Sequence, residues 1–335
     1  MPAWGRDDRF RLDAFEPAYL GLLRDGRLAA RAEEALHVLE ACRLCPRACG
    51  ARRLEGARGT CGVGRRAVVS SAFPHFGEED CLRGVRGSGT IFFSGCNLHC
   101  SFCQNADISW FGSGREVDAG DLAAIMLSLQ ERGCPNLNLV TPSHVVPQVL
   151  EAVTLAAGRG LRLPIVYNSS GYDTVEALRL LDGVVDVYMP DFKFWRSSTS
   201  ERYAHAPDYP EVARRALGEM HRQVGPLHFG GDGLARRGVL VRHLVMPGLA
   251  HESAAILEWL AREVSPDTYV NVMAQYRPAW LVGTPDGARG RFAEINRGPR
   301  RAEIEAAYEA ARGAGLWRFD ERRYATDSMS LMNRL

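Results

Sequence analysis

Residues 89–105 read GTIFFSGCNLHCSFCQN, and this stretch decides the expected fold and chemistry. The apolar run from Thr90 predicts a buried β-strand, and three cysteines follow it with the spacing C-x3-C-x2-C. Cys96, Cys100 and Cys103 therefore lie on one short loop at the carboxyl end of a strand. Thiolates are soft ligands that suit an iron–sulfur cluster, and three of them on a four-iron cube leave one iron open to another ligand.

Two other interpretations of this loop stay open from the residues alone. Zinc could take His99 as a fourth ligand, although His99 lies between two of the cysteines and not in a paired C-x2-C half. Structural cysteines in an apolar core are the other alternative, but Asn97 and Ser101 in the same loop fit apolar packing badly. The spacing favours cluster ligation.

Strands and helices alternate along the chain from this loop onward. The predicted strands are 90–94, 137–141, 165–168, 184–189, 239–245 and 269–273, and the predicted helices between them are 119–132, 145–158, 174–181, 210–224 and 253–264. Strands joined by helical crossovers run parallel, so the series predicts an α/β fold, either a partial barrel or an open doubly wound sheet. Ligands of such folds bind at the carboxyl ends of the strands.

Composition places the chain among ordinary globular proteins. It has 335 residues, of which 46% are hydrophobic and 24% charged, and its formal net charge is +1. This balance argues against a broad basic surface for nucleic acid or anionic membrane. No secretory signal or long apolar run is present, so we expect a cytoplasmic protein with reduced thiols.

A second cysteine group precedes the strand series. Its four members have the spacing C-x2-C-x3-C-x11-C and form a complete four-thiolate set, for either a second iron–sulfur cluster or a closed structural zinc: Cys42, Cys45, Cys49 and Cys61. Free thiols are the alternative. We expect three regions, which are a helical and cysteine-rich module at 1–86, a core at 87–300, and a closing helix and tail at 301–335.

The cysteine loop, with Phe102 before its last cysteine, resembles the signature of radical S-adenosylmethionine (SAM) enzymes. The phrases CRLCPRACG, NSSGY, PDFK and VRHLVMPG are similar to proteins related to pyruvate formate-lyase activating enzyme, in the PflX-like branch. The resemblance implies a partial (β/α)6 TIM-type barrel that holds a [4Fe-4S] cluster on Cys96, Cys100 and Cys103, with SAM bound to the open iron. It also implies Phe102 beside the cofactor.

The implied reaction begins with an electron from flavodoxin or ferredoxin. The reduced cluster cleaves SAM to methionine and a 5′-deoxyadenosyl radical, and this radical abstracts a hydrogen atom from a substrate. In activases the substrate is a glycine of a glycyl radical enzyme, and a small molecule is the other possibility. The non-enzymatic alternative is an iron–sulfur electron carrier or a structural metal-binding protein, whose cluster would not respond to SAM.

The resemblance also assigns residues after the third, fourth and fifth strands. Asp191 and Lys193 of PDFK match an activase element close to SAM, and Lys193 is the only lysine among 41 basic residues. Alternate residues of an extended segment face one side, so both could point into the barrel mouth; a surface ion pair is the alternative. Ser169 and Ser170 match a turn that contacts SAM, and Arg242 is expected to point inward. An ordinary turn and a solvated arginine are the respective alternatives.

The second strand departs from the family pattern. Most radical SAM enzymes carry a Gly-Gly-Glu-like stretch there that holds the SAM amine, whereas this chain has TPSH at 141–144. Thr141 and Ser143 could accept hydrogen bonds from that amine, and His144 could transfer a proton near neutral pH. The alternative for Ser143 is the N-cap of the following helix.

Overall fold

A computed structural model of the chain describes residues 7–320, except for the side chain of residue 288. Its strands are β1 (Ala67–His75), β2 (Ser88–Phe93), β3 (Arg115–Val117), β4 (Leu137–Val140), β5 (Ile165–Ser169), β6 (Val187–Pro190), β7 (His228–Phe229), β8 (Ala235–Leu244), β9 (Tyr269–Met273) and β10 (Arg318–Phe319). Its α-helices are α1 (Tyr19–Arg24), α2 (Arg27–His37), α3 (Asp80–Arg83), α4 (Ala106–Ser109), α5 (Ala119–Glu131), α6 (Val146–Gly158), α7 (Val175–Leu180), α8 (Ser197–Ala204), α9 (Tyr209–Val224), α10 (Ala250–Trp259), α11 (Trp280–Gly283), α12 (Pro285–Arg289) and α13 (Arg301–Gly313).

One sheet contains all of these strands. Its order is β3-β1-β2-β4-β5-β6-β8-β9-β10, and β7 pairs with β8. The six strands β2, β4, β5, β6, β8 and β9 pair in parallel, which confirms the six predicted units. β1 runs antiparallel to both β2 and β3, and β10 is parallel to β9. Over residues 7–320 the sheet curves without closing, so the fold is the partial barrel type of α/β architecture.

The two faces of the sheet pack against different partners. Residues such as Val166, Met189 and Leu240 form an apolar cluster with Leu82 of α3 on one face. Their neighbours along the strands point the other way and join the larger core that the crossover helices cover. This alternation follows from the two-residue period of a strand, and it leaves the first face as the interior of the partial barrel.

Local signals explain where several helices begin. The side chain of Asp118 accepts a hydrogen bond from the backbone of Asp121 and caps α5, and Thr174 caps α7 in the same way. Helix α6 instead begins at Val146, its N-cap residue is Val145, and no side chain makes a capping hydrogen bond there. The alternative in which Ser143 caps this helix is therefore wrong.

The ends of the chain differ in part from the sequence expectation. Within the described residues, the N-terminal region contains helices α1 and α2, while residues 11–18 are largely irregular. The predicted closing helix is α13, and β10 follows it. β1 belongs to the main sheet although it precedes the expected boundary at residue 87. None of the helices between residues 7 and 320 combines the length and the apolar character needed to cross a bilayer.

Candidate active site

The cysteine loop leaves β2 in a conformation fixed by its own backbone. Gly95 and His99 both have positive φ, at 81° and 60°, and these left-handed residues fold the segment back on itself. The backbone N–H of Ser101 donates to the carbonyl of Tyr203 at 2.7 Å, and the amide of Asn97 donates to the carbonyl of Tyr172 at 2.7 Å. The loop is therefore anchored to two neighbouring segments.

The three loop thiols lie together at partly exposed positions. Burial raises the pKa of the Cys100 thiol, the ammonium of Lys193 lowers it, and the Cys96 and Cys103 thiols raise it further. Burial likewise raises the pKa of Cys96. Across residues 7–320, no three His, Cys, Asp or Glu side chains converge on a position suited to one metal ion. The donor set of three neighbouring soft thiols beside a cation fits a cluster that carries negative charge on its ligands.

A charged network lies next to this loop. Arg242 Nε donates to Asp191 Oδ1 at 2.8 Å, Lys193 Nζ donates to Asp191 Oδ2, and Arg242 Nη2 donates to Asn168 Oδ1 at 2.7 Å. Asp191 and Lys193 thus share one side of the segment after β6, as the sequence predicts. Arg242 on β8 points toward them, and His243 points away to Ser253 of α10.

The network stays charged although it is buried. Burial would raise the pKa of Asp191, but Arg242 and Lys193 outweigh this effect and hold the pKa below its usual range. Burial opposes the ammonium of Lys193, yet the Asp191 carboxylate raises its pKa above the ordinary value. The Asp191 carboxylate therefore bridges both cations, and the Lys193 ammonium also acts on the Cys100 thiol of the cysteine loop.

Thr141 lies at the carboxyl end of β4 in a strained conformation. Its φ is 59°, in the left-handed region that β-branched residues rarely adopt, and its N–H donates to the carbonyl of Asn168. Ser170 Oγ is buried without a hydrogen-bond partner, whereas the hydroxyl of Ser143 lies within hydrogen-bonding reach of Asp173 and Tyr167. An unpaired buried hydroxyl such as that of Ser170 is the kind of group that a polar ligand satisfies.

Ser169, Phe102 and His144 have protein partners. Ser169 Oγ donates to Asp173 Oδ2 at 2.7 Å, and Phe102 packs edge-on against Phe194 with ring centroids 6.0 Å apart. His144 is buried, with Nε2 2.9 Å from the carbonyl oxygen of Ser94. Burial lowers the pKa of His144 to about 4, so the ring is neutral at pH 7 and suits a positioning role better than proton donation.

Sequence reasoning did not assign two polar residues, Asn168 and Glu79, to the site. Asn168 binds Arg242, as described above. Glu79 is 1% exposed; its Oε1 accepts a hydrogen bond from Asn271 at 2.7 Å, and its Oε2 is buried without a partner. Glu79 also raises the pKa of Arg242 through its charge, after the larger effects of burial and Asp191. The acidic run at 78–80 was the available signal.

The four-cysteine group lies next to the cysteine loop, because the carbonyl of Cys61 contacts Gly95. Cys42, Cys45 and Cys61 are buried, and Cys49 is exposed. Burial raises the pKa of Cys45, and the neighbouring Cys61 and Cys42 thiols raise it further. The thiols of Cys42, Cys45 and Cys61 therefore lie close enough to affect one another's pKa, and metal binding by the four residues stays a prediction.

Comparison with known proteins identifies the class. Residues 90–260 match the sequence model of the radical SAM superfamily, and this range includes the cysteine loop and the network around Asp191. The chain therefore belongs to the radical SAM superfamily, whose members are enzymes that use a [4Fe-4S] cluster and SAM for radical chemistry and generally take electrons from a flavodoxin or ferredoxin. This confirms the superfamily resemblance.

One relative aligns with this chain over most of its length. The chain is 31% identical over 307 residues to an uncharacterized protein of Methanocaldococcus jannaschii. The aligned region covers 89% of this chain and 82% of the relative, so the similarity extends beyond the family core to the N-terminal cysteine-rich region.

Proposed function

We propose that this protein is a glycyl-radical activase of the kind related to pyruvate formate-lyase activating enzyme, in the PflX-like branch, with Cys96, Cys100 and Cys103 as ligands of the SAM-binding cluster. When bound, the cluster and SAM together supply a carbon-centred radical that abstracts hydrogen. The observation that carries the proposal is the placement of three neighbouring thiols directly beside the network of Lys193, Asp191 and Arg242.

In this proposal, side chains around the cysteine loop bind and orient SAM. Lys193 and Arg242 attract the carboxylate of SAM, and Asp191 fixes both cations so that little reorganisation is needed on binding. Thr141, Ser143 and Ser170 offer hydroxyl groups to its polar atoms. Aromatic packing around Phe102 limits the access of water to the reacting centre.

The activase assignment rests on the phrases NSSGY, PDFK and VRHLVMPG. These phrases correspond to the segments that carry Ser169, Asp191, Lys193 and Arg242, and three of these side chains meet in the network described above. In this proposal residues 87–300 form the catalytic core, residues 301–335 close it, and residues 1–86 form a module that binds metal through the second cysteine group. Free thiols and clusters suit a reducing cytoplasm.

The cofactor chemistry is tested by anaerobic reconstitution with iron and sulfide, followed by chromatographic detection of 5′-deoxyadenosine after SAM and dithionite are added. The parent protein should form product, and Cys100→Ala should reduce it to background. Cys134→Ala is the matched control, because Cys134 is a buried thiol outside both groups. A fully loaded parent whose spectrum does not change with SAM would instead favour the electron-carrier alternative.

The protein substrate needs a separate experiment. The reconstituted enzyme is incubated with SAM, reduced flavodoxin and a panel of glycyl radical enzymes, and the partner is examined by electron paramagnetic resonance. A doublet that collapses to a single line when the glycine α-hydrogens are replaced by deuterium identifies an activase. Turnover with a small metabolite while every glycyl partner stays unmodified would contradict this assignment.

A further inference from the structure

The buried arginine Arg53 stands beside the four-cysteine group. Its side chain is 1% exposed, and its Nε and Nη1 donate to the carbonyls of Gly64 at 3.0 Å and His144 at 2.8 Å. Nη1 also lies 3.7 Å from Cys42 Sγ, while Nη2 is buried without a partner. These acceptors include no carboxylate. A guanidinium keeps its charge in proteins, so this buried cation requires a counter-charge from another source.

Metal-bound cysteines would supply that counter-charge. Cysteine binds metals as the thiolate, and four thiolates around zinc or an iron–sulfur cluster leave the centre with net negative charge. Arg53 lies against one of these four residues, and its unpaired Nη2 offers a further donor. The pairing of a buried cation with a four-cysteine set thus indicates a bound, negatively charged centre.

A structural zinc ion is not needed to hold this segment in place. The segment that carries the cysteines is already fixed to the barrel, because Arg47 donates to the carbonyls of Asn97 at 2.8 Å and Leu98 at 3.1 Å. Thr174 Oγ1 donates to the carbonyl of Leu44 at 3.0 Å. These contacts hold the segment against the loop of the SAM cluster.

The two cysteine groups are in backbone contact. A Cβ atom added to Gly95 would lie 2.3 Å from the carbonyl oxygen of Cys61, so these residues touch, and Gly95 directly precedes Cys96. On the opposite side Cys49 is exposed to solvent. The group therefore extends from the protein surface to the loop that holds the SAM-binding cluster.

We propose that Cys42, Cys45, Cys49 and Cys61 bind a second iron–sulfur cluster, with Arg53 as its counter-cation, and that this cluster relays electrons to the SAM-binding cluster. A ferredoxin or flavodoxin gives one electron to the second cluster and is itself oxidised. The second cluster passes that electron to the first and returns to its oxidised state. No atom is transferred. The relay, but not the existence of the second cluster, rests on the proposed function.

The second cluster is tested without the first. The triple variant Cys96→Ala/Cys100→Ala/Cys103→Ala is reconstituted with iron and sulfide, and we expect about four irons per chain. In this background Arg53→Gln should make the cluster about tenfold harder to reduce, a shift of about 59 mV to more negative potential. Arg53→Lys should keep the potential. Arg52→Gln is the matched control, since the side chain of Arg52 is 70% exposed.

The relay is tested in the otherwise intact enzyme with Cys45→Ser. We expect 5′-deoxyadenosine formation to fall at least about tenfold with reduced ferredoxin and to persist with dithionite, which can reach the first cluster directly. If metal analysis of the triple variant finds zinc without iron, or no metal, the proposal of a second iron–sulfur cluster is refuted. An unchanged potential in Arg53→Gln would overturn the counter-cation role, and equal losses with both reductants would overturn the relay. Because the triple variant has no SAM-binding cluster, its result does not depend on SAM cleavage.

Discussion

Replacing Asp191 by asparagine should destabilise the protein much more than replacing Lys193 by methionine. Asp191 is the carboxylate between two cations, and the side chains of Asp191, Lys193 and Arg242 are only 11%, 13% and 18% exposed. The Asp191→Asn substitution would leave Lys193 and Arg242 as neighbouring buried cations without their shared anion. The Lys193→Met substitution would leave the neutral pair of Asp191 and Arg242 intact.

The expected losses differ because a buried charge destabilises the protein most when it lacks a partner. Removing one partner of a buried pair costs about 3–5 kcal/mol of unfolding free energy, which we expect for Asp191→Asn. Lys193→Met should cost about 1 kcal/mol or less, since it also removes a charge that was expensive to bury. The double variant retains a single cation, so it should recover about 1–3 kcal/mol relative to the sum of the single losses.

Denaturant unfolding of the metal-free proteins under reducing conditions measures these energies. The pH dependence adds a second readout: the folded pKa of Asp191 lies below its usual value of 3.8, so its stabilisation is present above that value and is lost as the pH falls through the folded pKa. The Asp191→Asn variant should not show this loss of unfolding free energy at acid pH. Equal costs for the two single variants, or a double variant that equals their sum, would refute the reasoning.

Three further predictions concern burial and backbone strain. Burial raises the pKa of Asp186 to about 7, so the parent should lose stability relative to Asp186→Asn as the pH rises from about 4 to about 7. Denaturant titrations should show a relative loss of at most about 4 kcal/mol. Stability curves that stay parallel over this pH range would contradict the prediction. Gly95→Ala should cost about 2–4 kcal/mol, because its Cβ would meet the Cys61 carbonyl, whereas Gly62→Ala, with similarly positive φ and nothing within 4 Å, should cost about 1 kcal/mol. Equal melting temperatures for the two alanine variants would argue against that contact. Thr141→Gly relieves the left-handed strain and should change the unfolding free energy by less than about 1 kcal/mol while weakening SAM binding in calorimetry; unchanged affinity would exclude Thr141 from the site.

The parallel strands could be predicted from sequence because each is a short apolar run bounded by turns. β9 matches its predicted bounds, and β5 extends the predicted strand by one residue. β1 could not be found in this way, since it lies at the side of the sheet with most residues only partly buried and contains Pro74. β10 has two residues, too few for a periodic signal. Both depend on pairing with strands elsewhere in the chain.

The candidate site was predictable where its residues are close in sequence. The cysteine loop spans eight residues, and the pair of Asp191 and Lys193 follows from alternation along one extended segment. Asn168 and Glu79 were missed because their partners lie 74 and 192 residues away. Arg53 was indistinguishable from the other arginines of its segment, because only the tertiary structure buries it.

Lys193 is the sole lysine of the chain, and the other 40 basic side chains are arginines. An amine-reactive reagent consequently has one side-chain target in the protein, and that target lies in the candidate site. Acylation there would remove the positive charge that Asp191 holds, so lysine-directed crosslinkers and amine-coupled sensor surfaces would inactivate the molecule. The same property makes the labelling of Lys193, read from the mass of its peptide, a report on whether the site is occupied.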